Sequence, residues 1–290
     1  MSDYRRKVSE IIAMAKLEPG LKSIYVEGLS DYFIITNFLA YHKKDGVGVY
    51  LIDDIDFSEK YSGLTKEQIS FYQKNNKERV ILLSMSLESE LQELSVPILC
   101  IIDRDWDFVN GNVRKGKYLC YTDYNSMEMY LFNHETVDRF LKQGHRITNA
   151  KTEELLASLS EVCRQSFHIH CLTNIEFEAM VGNDKDFVFD KTTYTCYLNY
   201  DSFWIKTMMK CKLTAKSDGL KSVYLDRMAV QCDARMEIRG HDFVHYLYLC
   251  VKKIKTALHM DEHEFANVFW QYLNLDTIAR EPLFQRVLYL

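Results

Sequence analysis

Ile24-Tyr25-Val26-Glu27-Gly28, continuing Leu29-Ser30-Asp31, is a short apolar run that ends in an acid and a glycine and then opens a helix. A second stretch repeats the pattern: Ile98-Leu99-Cys100-Ile101-Ile102-Asp103-Arg104-Asp105, with Asp107 just beyond. Runs of this length, rich in β-branched residues, read as strands buried on both faces. In a parallel sheet the strand C-termini share one edge, and ligands bind in the crevice there. Two strands ending in Glu and in Asp-x-Asp therefore bring Glu27, Asp103 and Asp105 together, although they are far apart in sequence. Carboxylates crowded together are unfavourable unless a cation or a proton relieves them. Oxygen donors without thiolate or imidazole suit Mg²⁺ or Mn²⁺. The pattern predicts a divalent-metal site for chemistry on a phosphate.

The rest of the first half alternates helix and strand. Residues 3–17 read as a helix, Ser23–Val26 as a strand, and Ser30 as the cap of a helix running to Lys43. Val47–Ile52 is a second strand, closed by Asp53 and Asp54, and residues 64–76 read as a helix. Arg79–Ser84 reads as a further strand and Met85–Leu94 as a short helix. Val96–Ile102 and Tyr118–Tyr121 complete the strands, after which Asn125 or Ser126 opens a helix carrying Glu128. Strands separated by helices imply a mostly parallel sheet flanked by helices. Beyond residue 134 the reading is mainly helical: Val137–Lys142, Thr152–Phe167, Asn174–Met180, Tyr200–Lys210, Gly240–Thr256, Asp261–Leu273 and Thr277–Leu288. A strand pair fits Asp186–Tyr197. The expected organisation is an α/β domain over 1–133 and a mainly helical domain over 134–290.

These residues resemble the TOPRIM domain of topoisomerases, primases and OLD-type nucleases. The resemblance lies in Val26-Glu27-Gly28-x-x-Asp31 and in the later strand ending Asp103-x-Asp105. Tyr121-Thr122-Asp123-Tyr124-Asn125-Ser126-Met127-Glu128-Met129-Tyr130-Leu131 is similar to a strand end and Glu-x-x-Leu helix of the OLD-like branch. Arg239-Gly240-His241-Asp242 is similar to a second segment of it. The resemblance implies a TOPRIM-type fold and a metal-dependent nuclease acting as a toxic effector in anti-phage defence. It implies tRNA as the substrate, a homodimer, and an ABC-type ATPase partner that restrains it. It also implies that Glu128 is an outer or second-metal acid. Other TOPRIM activities, primase or topoisomerase, stay open, as does a non-catalytic binding module; any of 19 Tyr could serve a topoisomerase.

Each site residue also has a plainer role. Glu27 is a common strand-end residue, and Gly28 after it would allow a tight turn. Asp31 lies one helical turn on and reads equally as a helix-start acid or as a metal ligand; Asp107 is similar. Asp53, Asp54 and Asp56 read as a solvated loop. For nucleic acid the candidates are Arg104, between the paired aspartates, and the loop Arg114-Lys115-Gly116-Lys117, expected on the carboxylate edge. Further basic strips are Lys206, Lys210, Lys212 and Lys216, and Lys252, Lys253 and Lys255. Phosphate contacts by such residues would make binding salt-dependent.

Two patterns are discounted. His259-Met260-Asp261-Glu262-His263 matches an inverted zinc-peptidase motif, but Asp261, Glu262 and Glu264 read as an acidic helix start. His168-Ile169-His170-Cys171 alternates as a strand would and has no partner pair. No phosphate-binding Gly-x-x-x-x-Gly-Lys-Ser/Thr loop is present. The net charge of −5 excludes a general basic coat for nucleic acid. Eight scattered cysteines without a Cys-x-x-Cys pair suggest reduced core thiols and a cytoplasmic protein. No signal segment or membrane span is expected.

Overall fold

A computed structural model describes residues 5–173, 185–230, 232–255 and 257–290. It divides into two compact units, one of residues 1–123 with 275–290 and one of residues 124–274.

The first unit holds the sheet. β1 (Arg6–Lys7) leads into α1 (Val8–Leu17), and β2 (Lys22–Val26) follows. α2 (Leu29–Tyr41), β3 (Val47–Leu51), β4 (Ile55–Asp56), α3 (Lys66–Lys74) and α4 (Asn76–Glu90) come next, then β5 (Ile98–Ile102) and β6 (Leu119–Tyr121). The main sheet runs β3-β2-β5-β6 with every pair parallel, and β1 pairs with β4 beside it. Ile24 of β2 lies opposite Val49 of β3 and Leu99 of β5. All five residues of β5 are buried, which is why its sequence is apolar without alternation. Val8, Ile11, Ile12, Val80, Leu83, Leu87, Cys100 and Ile102 share one core cluster, so α1 and α4 cover the same face of the sheet.

Three readings change here. Arg79–Ser84 is not a strand: it belongs to α4, one continuous helix with Asn75 as its side-chain cap. The run Val80-Ile81-Leu82-Leu83 is apolar because this part of the helix is buried, with Val80 and Leu83 fully covered. Gly28 is extended, at φ −144°, so no tight turn demands glycine there. The loop 114–117 leaves the carboxylate edge, where Arg114 pairs with Glu78 beside Lys77 and its amide donates to the Tyr121 hydroxyl at 3.0 Å, and enters β6 from the opposite edge through Lys117. Lys117 Nζ donates to the Leu94 carbonyl at 2.7 Å, on the approach to β5.

Residues 275–290 return to this unit. The chain's last two helices span Leu275–Ile278 and Pro282–Leu288. The Phe284 ring packs at 4.7 Å against Phe38 of α2, tilted by 60°, and the Leu283 amide donates to Asp123 at 3.1 Å. Those contacts draw the units differently from the expected 1–133 and 134–290.

The second unit is helical with one hairpin. Its helices include Thr152–Thr173, Tyr200–Lys210, Ser217–Ala229, Gly240–Ile254 and Glu262–Trp270. β7 (Phe187–Asp190) and β8 (Thr195–Leu198) form the antiparallel pair expected from the sequence. The expected helix over Asn174–Met180 lies outside the described residues. Glu128 sits on a 3₁₀ turn, Met127–Leu131, rather than on an α-helix. His168 and His170 lie in a buried stretch of helix, not in a strand. Asp261 caps the helix after it, so the His259–His263 pattern is a helix start. Among the described residues no helix is long and apolar enough to cross a membrane.

Candidate metal and phosphate site

In the sheet order β3-β2-β5-β6 the chain leaves β2 to one side for β3 and later returns to the other side for β5. The gap beyond the C-termini of β2 and β5 is therefore the topological switch point, where open α/β sheets bind ligands. Glu27 follows β2 there and Asp103 follows β5. The Asp103 amide donates to Glu27 Oε1 at 2.8 Å, which fixes the glutamate across the mouth of the gap. The predicted convergence of Glu27 with the Asp-x-Asp segment is thus observed.

The electrostatics are strained. Burial pushes the Glu27 carboxyl up to about 8, and the carboxylates of Asp105 and Asp31 push the same way; the Asp103 amide and Lys77 oppose them. Asp105 holds a left-handed backbone, φ 47°, unusual for a residue with a side chain. Asp31 acts as a helix-start acid: its Oδ2 accepts the Gly28 amide at 3.1 Å and closes the first turn of α2. Among the described residues no three His, Cys, Asp or Glu side chains stand together as a ready ion cage.

Lys77, in the first turn of α4, accounts for much of that. Its ammonium donates to Asp105 Oδ2 at 3.0 Å and to the Arg104 carbonyl at 3.3 Å, and lies 2.9 Å from Asp107 Oδ2. Burial works against the charge, but Asp105 and Asp107 outweigh it and raise the lysine pKa. Neighbouring Asn76 donates to the Glu27 carbonyl at 2.8 Å. Arg79, one turn further on and buried, pairs with Asp53 and bonds Asn76. Asp53 is therefore an anchored residue and not only a solvated loop. It lines an open polar cleft of about 410 Å³ with Arg5, Asp56, Ser58, Tyr61 and Arg79.

Sequence reading missed Asn76, Lys77 and Arg79 because it broke their helix. The signal was present: Asn75 followed by Lys77 and Arg79 puts cations into a first turn that favours acids.

The basic candidates are largely engaged. Arg104 donates through Nε to the Thr122 carbonyl at 2.6 Å and lies 4.0 Å over the Phe108 ring. Arg114 makes a two-pronged pair with Glu78 at 2.9 and 3.0 Å. Lys115 is exposed.

Glu128 belongs to the second unit. It is buried, and a Cβ on Gly240 would overlap its side chain and the Ser126 hydroxyl. Glycine in the Arg-Gly-His-Asp segment is thus explained by close packing. Around it, Arg239 meets His170 Nδ1 at 2.9 Å, and the Ser166 hydroxyl donates to Asp242 at 2.8 Å. Burial raises Asp242 to about 6. Glu237 is opposed by burial but held down to about 2 by His168 and Arg164.

No family model matches this chain, and no curated protein matches it.

Glu27, Asp103 and Asp105 are oxygen donors with no thiolate or imidazole among them, the donor type of a hard divalent cation, and Asp105 and Asp107 are paired with the Lys77 ammonium.

Proposed function

We propose that the chain is a TOPRIM-type, Mg²⁺- or Mn²⁺-dependent phosphodiesterase. The observation that carries this reading is Glu27, half-buried near Asp105 and tied to the Asp103 amide at a sheet switch point. Glu27, Asp103 and Asp105 would hold the cation, with Asp31 and Asp107 close by in sequence. Once bound, the metal would polarise a phosphate and lower the pKa of an attacking water. Alternatively, without holding the cation, Glu27 would act as the general acid or base, its carboxyl being raised to about 8 in the metal-free chain. Exposed Lys115 would meet a nucleic-acid backbone, and Arg104 would do so through whatever its bond to the Thr122 carbonyl leaves accessible.

The TOPRIM branch that this chain resembles includes AriB, the effector of the PARIS anti-phage system. On that likeness the chain is a cytoplasmic toxic effector that cleaves host tRNA. It acts as a homodimer and is held inactive by an ABC-type ATPase partner similar to AriA. Sequencing RNA ends after a short burst of expression tests the substrate. Cuts confined to tRNA support it, and intact tRNA beside cleaved DNA or other RNA overturns it. Light scattering tests assembly: a free chain that is monomeric while cutting at full rate removes the dimer from the account.

A second reading has one observation in its favour. Lys77 already neutralises Asp105 and Asp107, as expected of a binding module without metal chemistry. Metal-dependent RNA degradation by the purified chain separates the two.

A further inference from the structure

We infer that Lys77 is the resting counter-ion of the Asp-x-Asp segment and competes with a divalent cation for it, so that a metal loads only as the lysine leaves. The inference rests on the metal-site reading and adds the residue that sets the site's affinity.

Three observations carry it. First, the ammonium is saturated. It has three N–H donors and three acceptors in reach: Asp105 Oδ2 at 3.0 Å, Asp107 Oδ2 at 2.9 Å and the Arg104 carbonyl at 3.3 Å. Its side chain is only 13% exposed, against 48% for Asp105 and 24% for Asp107, so the ammonium end is shielded while water reaches the pairs from the carboxylate side. Second, Lys77 stands where a helix disfavours it. The first turn of α4 carries the positive end of the helix dipole, which repels a cation. The carboxylates must hold the lysine against that field. Third, the acids are committed to it. Asp105 keeps its left-handed backbone while bound to Lys77, and the described acids do not gather into an ion cage. A divalent ion taking Asp105 must displace an ammonium already there.

A purely architectural ion pair gives a different expectation. Removing Lys77 would then loosen the segment 103–107 and weaken metal binding.

The test is Mn²⁺ binding to the metal-free full chain, followed by electron paramagnetic resonance, for the parent and for Lys77→Met. Methionine keeps the apolar stem and removes the charge. The expected result is binding tightened by about tenfold or more in the variant. Unchanged or weaker binding in a folded variant overturns the inference and leaves the metal site standing. Binding in neither protein overturns the metal-site reading together with it. If Lys77→Met does not fold, the parent alone decides. The rate at which an amine-reactive reagent modifies Lys77, read by mass spectrometry, should rise several-fold when Mg²⁺ is added. A rate that Mg²⁺ leaves unchanged refutes the exchange.

Discussion

A carboxyl that titrates near 8 has a cost that can be measured. Glu27 binds its proton more tightly in the folded chain than the ordinary value of 4.5 allows. Between about 4.5 and 8 the folded state therefore holds the extra proton. Stability falls as pH rises through that window and levels off above it. Glu27→Gln removes the titration and keeps an acceptor for the Asp103 amide. The metal-free variant should be more stable than the parent at pH above 8 by several kcal/mol, up to about 5, with little difference near pH 5. Thermal melts across pH read this directly, and a variant less stable at alkaline pH contradicts it. Gly240→Ala is the opposite case, because its added methyl meets Glu128 and Ser126. It should cost about 1–3 kcal/mol in urea unfolding; a neutral result contradicts the close packing. Glu27 and Asp103 were legible in sequence because each ends an apolar run, and strand ends in a parallel sheet are confined to one edge. Lys77 was not, because no periodicity links an ammonium to a carboxylate brought to it by another element.

At the scale of elements, α4 is where local pattern and tertiary burial conflicted. Val80-Ile81-Leu82-Leu83 has the composition of a strand, yet the run is enclosed against the sheet and needs no polar face. The deciding signal was the cap. Asn75 accepts the Glu78 amide at 3.1 Å and satisfies one of the helix's free donors. Asn75→Ala should therefore destabilise the protein by about 1 kcal/mol. It should also loosen Lys77, seen as faster amide exchange over 76–79. Protection left unchanged there would show that burial alone holds the first turn. The edge assigned to loop 114–117 holds for Arg114, paired with Glu78 beside Lys77, and fails for Lys117 for a related reason. A parallel strand must be entered from the far end, a fact of topology that the loop's own residues do not encode.

For the whole molecule, the alternation of strand and helix before residue 124 was readable, and so was the helical character after it. The return of residues 275–290 to the first unit was not. Pro282–Leu288 carries a compact apolar set that would suit either unit, and Phe284 against Phe38, with the Leu283 amide on Asp123, reveals which. Phe284→Ala should cost about 3–5 kcal/mol, because Phe284 is fully buried. A loss under about 1 kcal/mol in urea unfolding would mean that the last helix is dispensable to the first unit. The central claim is that the carboxylates at the switch point of the sheet run metal-dependent phosphodiester chemistry. Its most direct measurement is cleavage of RNA by the purified chain with Mg²⁺, with a chelator, and with Glu27→Gln. The account predicts cleavage with Mg²⁺ alone, none under chelation, and a loss of about a thousandfold or more in a folded Glu27→Gln protein. Cleavage that survives chelation, or full activity in the variant, would contradict it.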